Sequence, residues 1–137
     1  MRLVFCFAGK THRGPVREIL DDYLARLRKY ARIEVIEAKI LKVQNRPGVH
    51  VALDPGGDAM GSERFAAVVG RALELPAGTV FFYTGGADGL PREVVEDASM
   101  RLSLSPMTFN HQIVRAMLLE QVYRAMTILR KEPYHRP

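Results

Sequence analysis

The chain has 137 residues, 47% of them apolar, enough for one hydrophobic core and a single domain spanning residues 1–137. Lys and Arg number 20 against 15 Asp and Glu, and the net charge of +5 suits a polyanion such as RNA, although bases like Arg26, Arg28 and Lys29 also simply favour a helix C-terminus. The single cysteine, Cys6, excludes an internal disulfide framework, and neither a bilayer-spanning run of about 20 apolar residues nor a signal-peptide pattern is present, so the expectation is a cytosolic protein with no membrane role.

Leu3–Ala8 is a continuous apolar run that predicts a strand covered on both faces, with Cys6 as a buried, inert thiol. Pro15 opens an amphipathic helix whose Val16, Ile19, Leu20, Tyr23, Leu24 and Leu27 share one face. Ile33–Ala38 and Val49–Leu53 are short β-branched strands; the ten residues between them, 39–48, are too few for a parallel crossover, so these strands are not expected to be parallel neighbours. A turn, Asp54-Pro55-Gly56-Gly57, precedes a helix that Ser62 can cap and that buries Phe65, Val68, Val69, Ala72 and Leu73 before Pro76 closes it. Thr79–Thr84 is the strongest strand signal and runs directly into Gly85-Gly86-Ala87-Asp88-Gly89 and a helix initiated by Pro91. Leu102–Ser105 alternates as a last strand, 106–110 is a loop, and a long helix runs from His111 to about Arg130, stopped by Pro133. The four residues after Pro133 have no periodicity and are expected as an exposed terminus.

Strands alternating with helices predict an α/β fold with a mostly parallel sheet and flanking helices, and ligands of such sheets sit beyond the carboxyl ends of the strands. Gly9-Lys10-Thr11 is not a P-loop, because the glycine required five positions earlier is Val4. His12, His50, His111 and His135 lack metal-ligand spacing, and Gly85, Gly86 and Gly89 do not match G-x-G-x-x-G, so neither a metal nor a dinucleotide is expected. The glycine loop can let backbone amides approach a ligand, although alone such a segment is more often a structural turn. With the loop before His111 leaving a second strand at the same edge, a pocket becomes the expectation.

The segments GGADGL (85–90), LSLSPMTFNHQIVRAMLLEQVYRA (102–125) and YHR (134–136), in order behind Leu53-Asp54, resemble the RlmH family, the ribosomal large-subunit pseudouridine N3-methyltransferases of the SPOUT class. The resemblance implies a C-terminal trefoil knot, a homodimer, and S-adenosylmethionine used to methylate N3 of a pseudouridine in helix 69 of bacterial 23S ribosomal RNA. By position it implies that Leu53, Gly85, Gly86, Ser105, Pro106, Met107, Thr108, Phe109 and Asn110 enclose the cofactor. It also puts His111, Tyr134, His135 and Arg136 on the substrate side, with His111, Tyr134 and Arg136 as the catalytic candidates and no general base assigned. Met107 and Phe109 would be ordinary core in most α/β domains, and a histidine opening a helix is commonly a surface residue.

Two departures from the family pattern stand out: the short 39–48 connection, and Asn110 where the family usually has proline before His111. A SPOUT enzyme acting on transfer RNA is the alternative, ahead of a non-catalytic RNA-binding module or a nucleotide-binding oxidoreductase. Ile113, Val114, Met117, Leu118, Val122, Ala125, Met126 and Leu129 form a stripe on the last helix that is read as a dimer face. The tail Tyr134-His135-Arg136 is read as serving substrate and not folding, within reach of a neighbouring subunit's pocket.

Overall fold

A computed structural model describes residues 1–137. The run that reads as doubly covered forms β1 (Arg2–Ala8), whose Leu3–Phe7 have no exposed surface, and it lies between β2 (Arg32–Ala38) and β4 (Thr79–Thr84). Beyond β4 come β3 (Val49–Ala59) and β5 (Met100–Ser103), giving a five-stranded sheet of order β2-β1-β4-β3-β5 in which every pairing is parallel. β2 and β3 are not neighbours, as the short connection between them requires.

The larger core joins one sheet face, through Phe5, Phe7 and Phe82, to α1 (Pro15–Leu27), α2 (Ser62–Glu74) and α4 (His111–Leu129). The opposite face carries a smaller cluster of Val4, Cys6, Phe81 and Tyr83, covered by Leu41 of the 39–48 segment and Val94 of α3 (Arg92–Asp97). The segment is fastened without a helix. The Gln44 amide donates to the Tyr83 hydroxyl (3.0 Å), His50 bridges that hydroxyl (2.7 Å) and the Arg46 carbonyl (2.9 Å), and Arg46 forks onto Glu34. Burial, with the Glu34 charge adding to it and Arg46 opposing, pushes the Cys6 thiol up to about 12 and leaves it unreactive.

Several expectations change. β3 does not end at Leu53: Leu53 and Asp58 both stand opposite Leu102, so residues 54–57 are extruded as a bulge and the strand resumes to Ala59. A Cβ on Gly57 would lie 2.7 Å from the Arg101 carbonyl carbon, so this close strand contact needs glycine there. Ser62 is not a cap: Gly61 holds that position, and the Ser62 hydroxyl donates to Gln121 of α4 (2.8 Å). β5 is shifted to Met100–Ser103, because the Ser103 hydroxyl turns the chain by donating to the Ser105 carbonyl (3.0 Å).

The apolar stripe of α4 is mostly consumed within the chain, where Leu118, Val122, Ala125 and Met126 are core residues. Ile113 and Leu129 remain exposed, together with Ile19 of α1. The terminus is not frayed. Tyr134 packs edge-to-face on Tyr123 at 4.8 Å, and its hydroxyl meets Tyr23 (3.0 Å) and donates to Glu120 (2.8 Å).

Candidate active site at the strand ends

At the carboxyl edge of the sheet the loops after β4 and β5 and the bulge of β3 converge on one cleft of about 400 Å³. The loop after β4 is a tight backbone structure. Gly86 bridges Gly89 across it, Gly89 takes a φ of 82°, and a Cβ on Gly85 would fall 2.3 Å from the Gly89 carbonyl carbon. Gly86 differs: its nearest contact would be the Ala8 carbonyl oxygen at 3.5 Å, so the chain itself leaves the space above it open.

The second wall is the segment between β5 and α4. Ser105 lines the cleft and its hydroxyl accepts from the Met107 amide at 3.0 Å, bracing the turn. Met107 is 70% exposed and Phe109 40%, so these two apolar side chains are cleft walls and not core. Leu53, Leu102, Leu104 and Val114 add to the apolar lining, and Thr108 and His111 supply polar groups. His111 meets His12 edge-on at 6.3 Å.

Pro106 and Asn110 are not among the lining residues. Asn110 is the N-cap of α4, its side chain accepting from the amides of Gln112 (2.8 Å) and Ile113 (3.4 Å). Its φ of −55° and ψ of 134° lie where proline would also sit, so the departure at this position keeps the backbone path and adds a cap. Tyr134, His135 and Arg136 do not line this cleft either. His135 accepts from Arg124 at Nδ1 (3.0 Å), which leaves the proton on Nε2, 3.6 Å from Glu63; Arg136 is exposed. Burial first, then the hydrogen bonds to Tyr23 and Glu120, push the Tyr134 phenol up, so at this location it keeps its proton at neutral pH and cannot act as a base.

Sequence reasoning missed Asp54, Pro55, Asp88 and Leu90, which also line the cleft. Their signal was the turn chemistry itself, since each belongs to a segment that leaves the sheet at its carboxyl edge. Apolar walls, close backbone amides and two carboxylates fit a ligand with a flat apolar ring, hydroxyl edges and a cationic centre.

The family model described as "Predicted SPOUT methyltransferase" matches residues 1–135. The chain belongs to the SPOUT methyltransferase family. Within it, the chain is 46% identical to a Sorangium cellulosum protein named "Ribosomal RNA large subunit methyltransferase H", over 98% of this chain and 99% of that one. It is 37% identical to the Coprothermobacter proteolyticus protein of the same name, over 99% of this chain and all of its relative (100%). The fold is similar to a probable methylase family protein of Haemophilus influenzae (TM-score 0.61, 9% identity, 99% of this chain and 70% of that one). It is also similar to the Aquifex aeolicus tRNA (m1G37) methyltransferase (TM-score 0.56, 15% identity, 98% and 76%).

Proposed function

We propose that this chain methylates large-subunit ribosomal RNA in the cytoplasm, at N3 of a pseudouridine, with S-adenosylmethionine bound in the cleft of Gly86, Ser105 and Met107–Phe109. The observation that carries the reading is a cleft whose apolar walls, Met107 and Phe109, stand exposed beside a lining glycine, Gly86, that the chain itself does not crowd. Two relatives sharing nearly the whole length and named for ribosomal RNA support this substrate over transfer RNA. The proposal includes the homodimer and the C-terminal knot that the resemblance implies.

When bound, the cofactor supplies an activated methyl group on a sulfonium centre. Leu53, Met107 and Phe109 would hold its adenine, the amides around Gly85 and Gly86 its polar edges, and Asp54 or Asp88 its positive charge. The work of the protein is then to hold the base edge in line and receive its proton. His111 is the one imidazole among the lining side chains and can hydrogen-bond to a base edge. Arg136, with a planar donor fork and no partner of its own, suits a phosphate or a base edge.

The test is titration calorimetry with S-adenosylmethionine, followed by methyl transfer to unmodified bacterial ribosomes and to transfer RNA, with the product nucleoside identified by mass spectrometry. One site per chain and N3-methylpseudouridine from ribosomes only are expected. Transfer to transfer RNA alone, or no cofactor binding, overturns the reading.

A further inference from the structure

The turn of residues 9–13 leaves the carboxyl end of β1 without contributing to the cleft lining. Its charged side chains and its backbone are treated in opposite ways. Lys10, His12 and Arg13 stand in solvent, and neither Lys10 nor Arg13 has a carboxylate partner.

The backbone is held from three sides. The Gly9 amide donates to the Ala38 carbonyl (2.9 Å), the Thr11 amide to Glu37 (2.8 Å) and the His12 amide to the Gln112 side chain (2.9 Å), which donates back to the Lys10 carbonyl (3.1 Å). Arg115, with no exposed side-chain surface, donates through its two terminal nitrogens to the carbonyls of Ala8 (2.7 Å) and Gly9 (3.0 Å) and to the Thr11 hydroxyl (3.0 Å), its Nε left without a partner, and lies 4.8 Å over the Phe7 ring. Burying a guanidinium is costly, and a plain connection between a strand and a helix does not need it. What it secures here is the position of the turn relative to α4, whose first residue, His111, lines the cleft and meets His12 edge-on. The one carboxylate bonded to the turn, Glu37, is taken up by the Thr11 amide and stands 3.9 Å from Arg115, so it leaves the outward charge positive.

We infer that this turn is a phosphate-binding platform for RNA: Lys10 and Arg13 contact phosphodiester groups flanking the nucleotide presented to the cleft. Gln112 and Arg115 are positioning residues that keep those cations in register with His111. The inference rests on the proposed function for the identity of the RNA, but it is read out by affinity and not by catalysis.

The experiment compares binding of bacterial large ribosomal subunits by the wild-type chain, by Lys10→Ala/Arg13→Ala and by Arg28→Ala/Lys29→Ala. The last pair removes the same charge from two exposed positions at the opposite end of α1. Loss of the turn's cations is expected to weaken binding at least about tenfold near 0.1 M salt and to flatten the dependence of log affinity on log salt by about 1.4 to 1.8, the share of two phosphate contacts. Melting temperature and calorimetric affinity for S-adenosylmethionine should not change, and the control pair should stay within about twofold of wild type. Equal losses for both pairs, wild-type affinity and slope for the Lys10/Arg13 pair, or no salt-dependent RNA binding by the wild type would each overturn the inference. A wild-type chain that binds cofactor and RNA yet transfers no methyl group sinks the proposed function instead.

Discussion

Gly85 and Gly86 are adjacent, but they answer to different constraints. Gly85 is glycine because its own loop folds back on it: a Cβ there would stand 2.3 Å from the Gly89 carbonyl carbon and 2.6 Å from the Leu90 nitrogen, and backbone cannot yield as a flexible side chain can. Gly86 is free of that demand, since its Cβ would make only an ordinary 3.5 Å contact with the Ala8 carbonyl oxygen. The two substitutions therefore separate folding from binding. Gly85→Ala should lower the melting temperature by several degrees, as overpacking of about 1–3 kcal/mol does. Gly86→Val should melt near wild type and lose cofactor affinity by more than tenfold in calorimetry, because its branched side chain occupies the space above the glycine. A folded Gly86→Val chain that binds S-adenosylmethionine undiminished would place the cofactor elsewhere.

At the scale of elements, periodicity made the helices and the central strands legible, because their apolar faces are core: Leu20, Leu24 and Leu27 in α1, and Phe65, Val69 and Leu73 in α2. The ends of elements were less legible, since they depend on long-range partners. Asp54-Pro55-Gly56-Gly57 has turn chemistry and does leave the ladder, yet β5 waits beyond it and the strand resumes. Leu104 continues an alternating pattern, but the Ser103 hydroxyl has already turned the chain. The glycine loop and the cleft wall of Ser105 and Met107–Phe109 could be read from the sequence; the part played by the β3 bulge could not, because it follows from pairing. The packing of Tyr134 was not legible because four residues after a proline carry no periodic signal, whereas the contacts that hold it come from Tyr23, Glu120 and Tyr123 on two helices. Two substitutions in the tail divide its roles. Tyr134→Phe removes two hydrogen bonds and should cost about 1–2 kcal/mol in denaturant unfolding. Arg136→Ala, at an exposed position, should leave unfolding unchanged while ribosome methylation falls severely. Full activity in Arg136→Ala would remove the tail from the substrate side.

At the scale of the whole molecule, the proposed tail function is joined to the proposed homodimer. The cleft lies at the carboxyl edge of the sheet with Gly86 and Phe109, whereas Tyr134 is fixed to Tyr23 and Glu120 between α1 and α4 and none of residues 134–136 lines that cleft. We propose that Arg136 serves the base held in another chain's cleft. Between the two regions runs a groove bordered by Ile19, Met60, Ile113 and Met117, with Ile19 and Ile113 exposed, an apolar face of the kind that a symmetric partner covers. The arrangement can be tested by mixing two defective chains. In a dimer of Gly86→Val with Arg136→Ala, the cleft of the second chain is intact and faces the intact tail of the first. Random exchange makes about half of the dimers mixed, each with one complete site of two, so a mixture should recover about a quarter of the wild-type methylation rate. Each variant alone should remain near zero, and sedimentation should show a dimer in all three samples. If the mixture stays as inactive as its components while dimers form and exchange, cleft and tail do not cooperate between subunits.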